Sequence, residues 1–334
     1  MINIGIIGFG YWGPNIVRNF RGLEGAKVVS ICDGNPDAIA RARKSNRHVS
    51  VTCDPNDILT SPEIDAVAVI TPVSTHFELA RKALENGKHV FVEKPFTATV
   101  AQAEELIALA ERKKLTIMVD HTFIFTGAVR KIKQLIEKKT LGDIYYYDSV
   151  RVNLGLFQHD VNVIWDLAPH DFAIMDYLLD EKPVAVAACG KAHVNQMEDT
   201  AYVNVHFNNN MIAHFNVNWL SPVKVRTTLI GGEKKMLVWN DLEPDEKIKI
   251  YDKGVEVKSK EAAYKMLVNY RSGDMHAPRV EQGEALKVET EYFLHCIREN
   301  ETPINDGHAG LRVVKMLDAC NQSLRMNGQA VALT

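Results

Sequence analysis

The sequence predicts an α/β protein in two parts. The first is a doubly wound parallel sheet, and the second is an α+β domain with a large, mostly antiparallel open sheet. Three observations carry this expectation. Short apolar runs alternate with helical stretches through the first third of the chain, the rhythm of βαβ units. A glycine-rich turn, Gly8-Phe9-Gly10-Tyr11-Trp12-Gly13, follows the first apolar run and opens the first helical stretch. After about His121 the pattern changes to long strand-like runs joined by polar turns such as Asn208-Asn209-Asn210. The expected domains are residues 1–121 and 122–334, each long enough to bury a core of its own.

In chain order, residues 1–7 read as a strand, 14–21 as a helix, 27–32 as a strand and 36–44 as a helix. The run 66–70 is a buried strand, followed by a helix at 76–86 and a strand at 89–93. A helix at 100–113 and a strand at 116–120 complete the first part. Residues 127–138 form a further helix, with Val129, Ile132, Leu135 and Ile136 on one face. Strands then follow at 144–153, 184–194, 200–207, 211–219, 223–230, 235–239 and 247–251. One helix, at 169–179, interrupts them, and the tail returns to helices at 284–299 and 308–326.

Composition narrows the function. The chain is 46% hydrophobic and 24% charged, with a formal net charge of −3. It carries no basic run, so neither a nucleic acid nor an anionic membrane is an expected partner. Residues 1–8 lack the pattern of a secretory leader, and no apolar run reaches the length of a membrane span. The five cysteines, Cys32, Cys53, Cys189, Cys296 and Cys320, are widely spaced, with no CxxC pair. They predict reduced, mostly buried thiols in a cytoplasmic protein, with Cys32 and Cys189 in apolar strands.

The glycine turn carries the cofactor expectation. GxGxxG alone is weak, but here it sits between a strand and a helix, and Asp33 ends the second strand 20 residues after Gly13. Gly8 permits the tight turn, Gly10 lets the backbone approach a pyrophosphate, and Gly13 lets the helix pack close to the sheet. Free N–H groups at the helix N-terminus face the phosphates. Phe9, Tyr11 and Trp12 belong to the same turn, and Tyr11 and Trp12 are placed to cover the pyrophosphate. Asp33 accepts from the adenosine ribose and repels a 2′-phosphate, while Gly34 and Asn35 supply no compensating charge. The expected domain is a Rossmann domain, and the expected cofactor is NAD rather than NADP.

Glu93-Lys94-Pro95 follows a parallel strand, at the edge where open α/β sheets bind ligands. With the glycine turn, it resembles the glucose–fructose oxidoreductase, inositol dehydrogenase and MocA (Gfo/Idh/MocA) family. The resemblance extends along the whole chain: Thr71-Pro72 with His76, Leu141-Gly142-Asp143-Ile144, and the Asp-x-x-x-His formed by Asp166 and His170. It implies that Lys94 lies beside the nicotinamide and that Asp166 and His170 complete the catalytic group. It also implies that Thr71, Pro72, His76, Glu93, Lys94 and His121 contribute to cofactor binding. The chain departs from the family in one place, having Ala168-Pro169-His170 where the pattern more often reads Gly-x-His.

The chemistry of these residues agrees with that carry-over. Oxidising an alcohol requires a base for the hydroxyl proton and a donor for the oxygen, while the cofactor takes the hydride. Histidine has an unperturbed pKa near neutrality, so His170 suits the base. Pro169 is expected at the first position of a helix, which puts His170 in the first turn, where the dipole favours neutral imidazole. Asp166 is then expected on the entering loop, orienting His170 or the substrate. Lys94 donates to the reacting oxygen. Each residue also has a plainer reading: Lys94 as a surface lysine, His170 as a core-edge residue, Asp166 as a cap. Asp171 reads as a first-turn charge. No metal is expected, since hydride transfer to NAD needs none.

Arg151 and Trp165 bound a segment expected to shape the substrate pocket. Arg151 would meet a phosphate or carboxylate and Trp165 would stack on a sugar or base; a strand-edge charge and a core aromatic are the alternatives. Trp219 and Trp239 read as sheet-packing residues. The stretch from Trp165 to Asp171 resembles family members that oxidise nucleotide-activated sugars such as UDP-N-acetylglucosamine at the 3-hydroxyl, for surface-polysaccharide synthesis. A free-sugar or inositol dehydrogenase is the alternative, and a non-catalytic dinucleotide-binding sensor is an alternative of another class. One face of two predicted strands carries Asn204, His206, His214, Asn216 and Asn218, polar yet uncharged. That predicts a homodimer or homotetramer buried on this face.

Overall fold

The computed structural model describes residues 1–155, 157–256 and 269–333, and these form two compact units. The first comprises residues 1–125 and 283–315, the second residues 126–282 and 316–334.

In the first unit, strands β1 (Ile2–Ile7), β2 (Ala26–Cys32), β3 (Ser50–Thr52), β4 (Ala66–Val69), β5 (His89–Val92) and β6 (Ile117–Val119) form one sheet in the order β3-β2-β1-β4-β5-β6. Every pairing in it is parallel. Helices α1 (Gly13–Arg21), α2 (Pro36–Ser45), α3 (Asn56–Leu59), α4 (Val73–Glu85) and α5 (Val100–Lys113) connect the strands. This is the doubly wound order, with its topological switch between β1 and β4. The strands are short continuous apolar runs because both faces of the sheet are covered; all four residues of β4 are buried. Sequence periodicity missed β3 and α3, which at three and four residues are too short to show a period.

The second unit contains α6 (Gly127–Glu137), β7 (Ile144–Leu154), α7 (Val163–Leu178), and strands β8 (Pro183–Lys191), β9 (Thr200–Phe207), β10 (Ile212–Asn218), β11 (Leu220–Gly232), β12 (Met236–Asn240), β13 (Ile248–Glu256), β14 (Asn269–His276) and β15 (Val331–Ala332). Its nine-stranded sheet runs β14-β13-β12-β11-β7-β10-β9-β8-β15. The β7–β10 pair is parallel and the others are antiparallel. Along β9 and β10, Ala201, Val203, Val205, Ala213, Phe215 and Val217 are buried, and the alternating residues stay partly accessible.

Two sequence expectations within the second unit are revised. Helix α7 begins at Val163, six residues before Pro169, because the Asn162 side chain caps it by accepting the Trp165 N–H at 3.1 Å. Cys189 is exposed, as is Cys53, while Cys32, Cys296 and Cys320 are buried.

Two further α-helices among the described residues are α8 (Ala285–Glu299) and α9 (Gly307–Arg325). The sequence groups α8 with the second domain. Its contacts lie in the first unit, where Phe293 meets Phe20 and Phe91 edge-on at 6.2 and 5.6 Å between ring centres. No helix among the described residues is long and apolar enough to cross a membrane.

Candidate functional site

The glycine turn leaves β1 at its C-terminal end. Gly8 has φ +105°, and a Cβ there would lie 2.0 Å from the Ile70 carbonyl oxygen, so only glycine fits between β1 and β4. A Cβ on Gly13 would lie 2.4 Å from the Gly8 carbonyl oxygen, so close packing of α1 on the turn requires glycine there as well. At Gly10 nothing stands within 4 Å of where a Cβ would be. The turn is therefore tight at its two ends and open in the middle, the shape that admits a pyrophosphate to the free N–H groups opening α1.

A cleft of about 650 Å³ opens beside the turn, lined among others by Gly8, Gly10, Asp33, Thr71 and Pro72. Asp33 binds the turn itself: Oδ2 accepts the Phe9 N–H at 2.6 Å, and Oδ1 accepts the Asn35 N–H at 2.7 Å. Each oxygen keeps lone-pair capacity for a ribose hydroxyl. Phe9 contributes its backbone, since its ring is in the core. Tyr11 is 92% exposed on the turn, whereas Trp12 is turned inward, with Nε1 donating to Asp120 Oδ2 at 3.2 Å. The open turn, the cleft and the carboxylate at its rim fit an NAD adenosine diphosphate.

His76 is placed differently from the expectation. It is fully buried, with Nδ1 2.9 Å from the Pro95 carbonyl oxygen and Nε2 2.7 Å from that of Thr71. It braces the loops after β4 and β5 rather than presenting its ring to a cofactor. Burial holds its proton affinity below the ordinary histidine range. Glu93 and Lys94 follow β5 directly and are half-buried, and the Glu93 N–H donates to the Val69 carbonyl at 2.9 Å. They stand at the C-terminal edge of the sheet. His121 is buried just beyond β6.

In the second unit, α7 carries Asp166 and His170. With the helix starting at Val163, these residues are i and i+4 on one helix face, not on loop and helix as expected. His170 ends the second turn, beyond the reach of the helix N-terminal dipole. Pro169 lies inside the helix rather than at its first position. Asp166 Oδ2 accepts the indole N–H of Trp219 at 3.1 Å, and Trp219 is buried. Trp219 is thus more than a packing residue, and chain order gave no signal of the contact.

Arg151 and Trp165 do not take the expected roles. Arg151 is 4% exposed and forms a bidentate pair with Asp171, Nε–Oδ2 2.6 Å and Nη2–Oδ1 3.1 Å. The Ser149 hydroxyl also donates to Asp171, at 3.1 Å. Asp171 is therefore the buried partner of Arg151, not a first-turn charge. Trp165 is buried, and so is Trp239. A residue the sequence left out also reaches the adenosine cleft: Arg41, from α2, lines it. Its place one helix after Asp33 was the available signal.

A doubly wound sheet with this glycine turn and a large second sheet define a dinucleotide-dependent oxidoreductase. The chain belongs to the Gfo/Idh/MocA family: residues 2–121 match its oxidoreductase NAD-binding Rossmann fold, and residues 129–238 match its C-terminal domain. It is an NAD-dependent dehydrogenase of CH–OH groups. A scyllo-inositol 2-dehydrogenase (NAD(+)) of Bacillus subtilis is 26% identical over 321 residues, covering 91% of this chain and 87% of the relative. A UDP-N-acetylglucosamine 3-dehydrogenase of Acidithiobacillus ferrooxidans is 26% identical over 313 residues, 93% of each. A solved structure of the Acidithiobacillus protein superposes with a TM-score of 0.81 at 25% identity, over 98% of this chain and 99% of that one. A levoglucosan dehydrogenase in complex with NADH and L-sorbose shares the fold, with a TM-score of 0.83 at 19% identity, over 100% of this chain and 99% of that one.

Proposed function

We propose that the chain oxidises a sugar hydroxyl, the 3-hydroxyl of a nucleotide-activated sugar such as UDP-N-acetylglucosamine, in surface-polysaccharide synthesis. The observation that carries this reading is the Asp166–His170 pair on one face of α7, with Asp166 fixed by Trp219. The stretch from Trp165 to Asp171 resembles nucleotide-sugar dehydrogenases, and a relative named for that activity spans nearly the whole chain.

Bound NAD supplies the acceptor for the hydride of the carbinol carbon. His170 takes the hydroxyl proton as general base, leaving a ketone. Lys94 Nζ donates to the reacting oxygen and stabilises the charge that develops there. Asp166 orients His170 or the substrate, with the Trp219 indole limiting its own freedom. Glu93 and Thr71, at the ends of neighbouring strands, border the cofactor.

NADH formation from a panel of UDP-N-acetylglucosamine, other nucleotide sugars, free sugars and inositols tests the reading. The expected result is the highest kcat/KM with a nucleotide sugar. Preference for an inositol would favour the second reading, which the scyllo-inositol relative supports at the same identity. NAD binding without any turnover would replace both with a dinucleotide sensor. Lys94→Ala and His170→Ala are expected to lose turnover by about 100-fold or more while retaining NAD binding. Near-normal hydride transfer in either variant removes that residue from the mechanism.

A further inference from the structure

Beneath the glycine turn lie two carboxyl groups that the proposed reaction does not use. Asp120, at the end of β6, is 2% exposed, and Glu289, from α8, is fully buried. Asp120 is well supplied with donors: the Trp12 indole on Oδ2 at 3.2 Å and the Thr122 hydroxyl on Oδ1. Glu289 is not. Its Oε1 accepts the Asn305 amide at 2.9 Å, while Oε2 is buried without a well-formed hydrogen bond among the described residues, with Asp120 and the Thr122 hydroxyl as polar neighbours of the carboxyl. Asn305 is itself fixed, its amide also donating to the Val119 carbonyl at 2.7 Å.

Two neighbouring carboxyls in a buried site cannot both be ionised, because each charge is poorly solvated and repels the other. Burial raises the proton affinity of both, and for Glu289 the adjacent Asp120 charge adds to it. Glu93, at the end of β5, adds further negative charge toward Glu289. The neighbouring titratable groups along the chain are Lys94, after Glu93, and His121, after Asp120. One proton resolves the arrangement. On Glu289 Oε2 it turns an oxygen without a well-formed hydrogen bond into a donor, and Asp120 is the acceptor beside it. Asp120 then remains the anion, holding the Trp12 indole.

Trp12 is the cap residue of α1, inside the glycine turn. The chain of contacts therefore runs from Asn305 through Glu289 and Asp120 to the Trp12 indole, on the turn expected to receive the pyrophosphate. We infer that a single proton shared between Glu289 and Asp120 fixes Trp12 and the glycine turn, which makes Glu289 a positioning residue for NAD. The segment 283–315, which returns to the first unit, thus sets that unit's cofactor site.

The test uses the full chain and three proteins: wild type, Glu289→Gln and Glu289→Leu. Glutamine keeps a donor toward Asp120 without a titratable proton, so NAD affinity is expected to stay within about threefold of wild type. Leucine leaves Asp120 without that donor, and NAD affinity is expected to fall by about tenfold. Infrared spectra at neutral pH are expected to show a protonated-carboxyl C=O stretch in wild type that is lost in Glu289→Gln. Absence of that band from wild type overturns the inference, and so does NAD binding weakened equally by glutamine and leucine. Should Glu289→Leu fail to fold, the band and the glutamine affinity decide the matter alone.

Discussion

Asp33 acts on both sides of the cofactor turn. One oxygen holds the Phe9 N–H and the other the Asn35 N–H, so the carboxylate stays at the rim of the adenosine cleft as a fixed negative charge. A 2′-phosphate placed there meets that charge, and Arg41 lines the same cleft as a partial counterweight. Fluorescence titration is expected to give NAD the tighter binding. Asp33→Asn is expected to narrow the NAD-to-NADP preference by about tenfold, and adding Arg41→Ala to restore part of it. Equal NAD and NADP binding by wild type would refute the role of Asp33. At this scale the glycine turn was legible because its chemistry is local: three glycines, a strand before and a helix after. His76 was misread because spacing gives proximity and not direction; its two nitrogens face carbonyl oxygens inside the protein. Arg151 was misread because its partner lies 20 residues on, in another element.

Helix α7 shows what periodicity can miss at the scale of an element. Proline marks helix starts well, so Pro169 drew the expected boundary, but the Asn162 cap upstream decides where the backbone turns. The consequence is chemical, since the earlier start aligns Asp166 and His170. Arg151 of β7 and Asp171 of α7 then pin that helix to the sheet through a pair whose side chains are only 5% and 4% exposed. Removing one partner strands the other charge in the interior. Arg151→Met is expected to cost about 3–5 kcal/mol in urea unfolding. The double variant Arg151→Met with Asp171→Leu is expected to recover most of that loss, because no charge is left unpaired. A double variant whose loss equals the sum of the two singles would show that the pair is not the unit that matters.

For the molecule as a whole, the order of parts along the chain is not their order in space. The apolar face of α8 was legible, but amphipathicity does not say which core a helix joins, and Phe293 joins that of the first unit. The second sheet raises a related question on the face of β9 and β10 whose residues stay partly accessible. On it, Asn204, His206, His214, Asn216 and Asn218 are only partly accessible, while Tyr202 and Ile212 are 43% and 45% exposed. Tyr202 stacks on the His214 ring, whose Nδ1 is 2.8 Å from Asp148 Oδ1. Large apolar side chains among polar ones that carry no carboxylate, lysine or arginine along β9 and β10 suit the core of an interface better than a solvated face. The expected assembly is a homodimer or homotetramer that buries this face against a second copy. Light scattering that finds a monomer at micromolar concentration would rule it out. The sharper check is His214→Glu together with Asn216→Lys. Glutamate at 214 faces the Asp148 carboxylate, and lysine at 216 places an unpaired charge in the contact, so the assembly is expected to dissociate. An oligomer unchanged by both substitutions would locate the interface elsewhere on the chain.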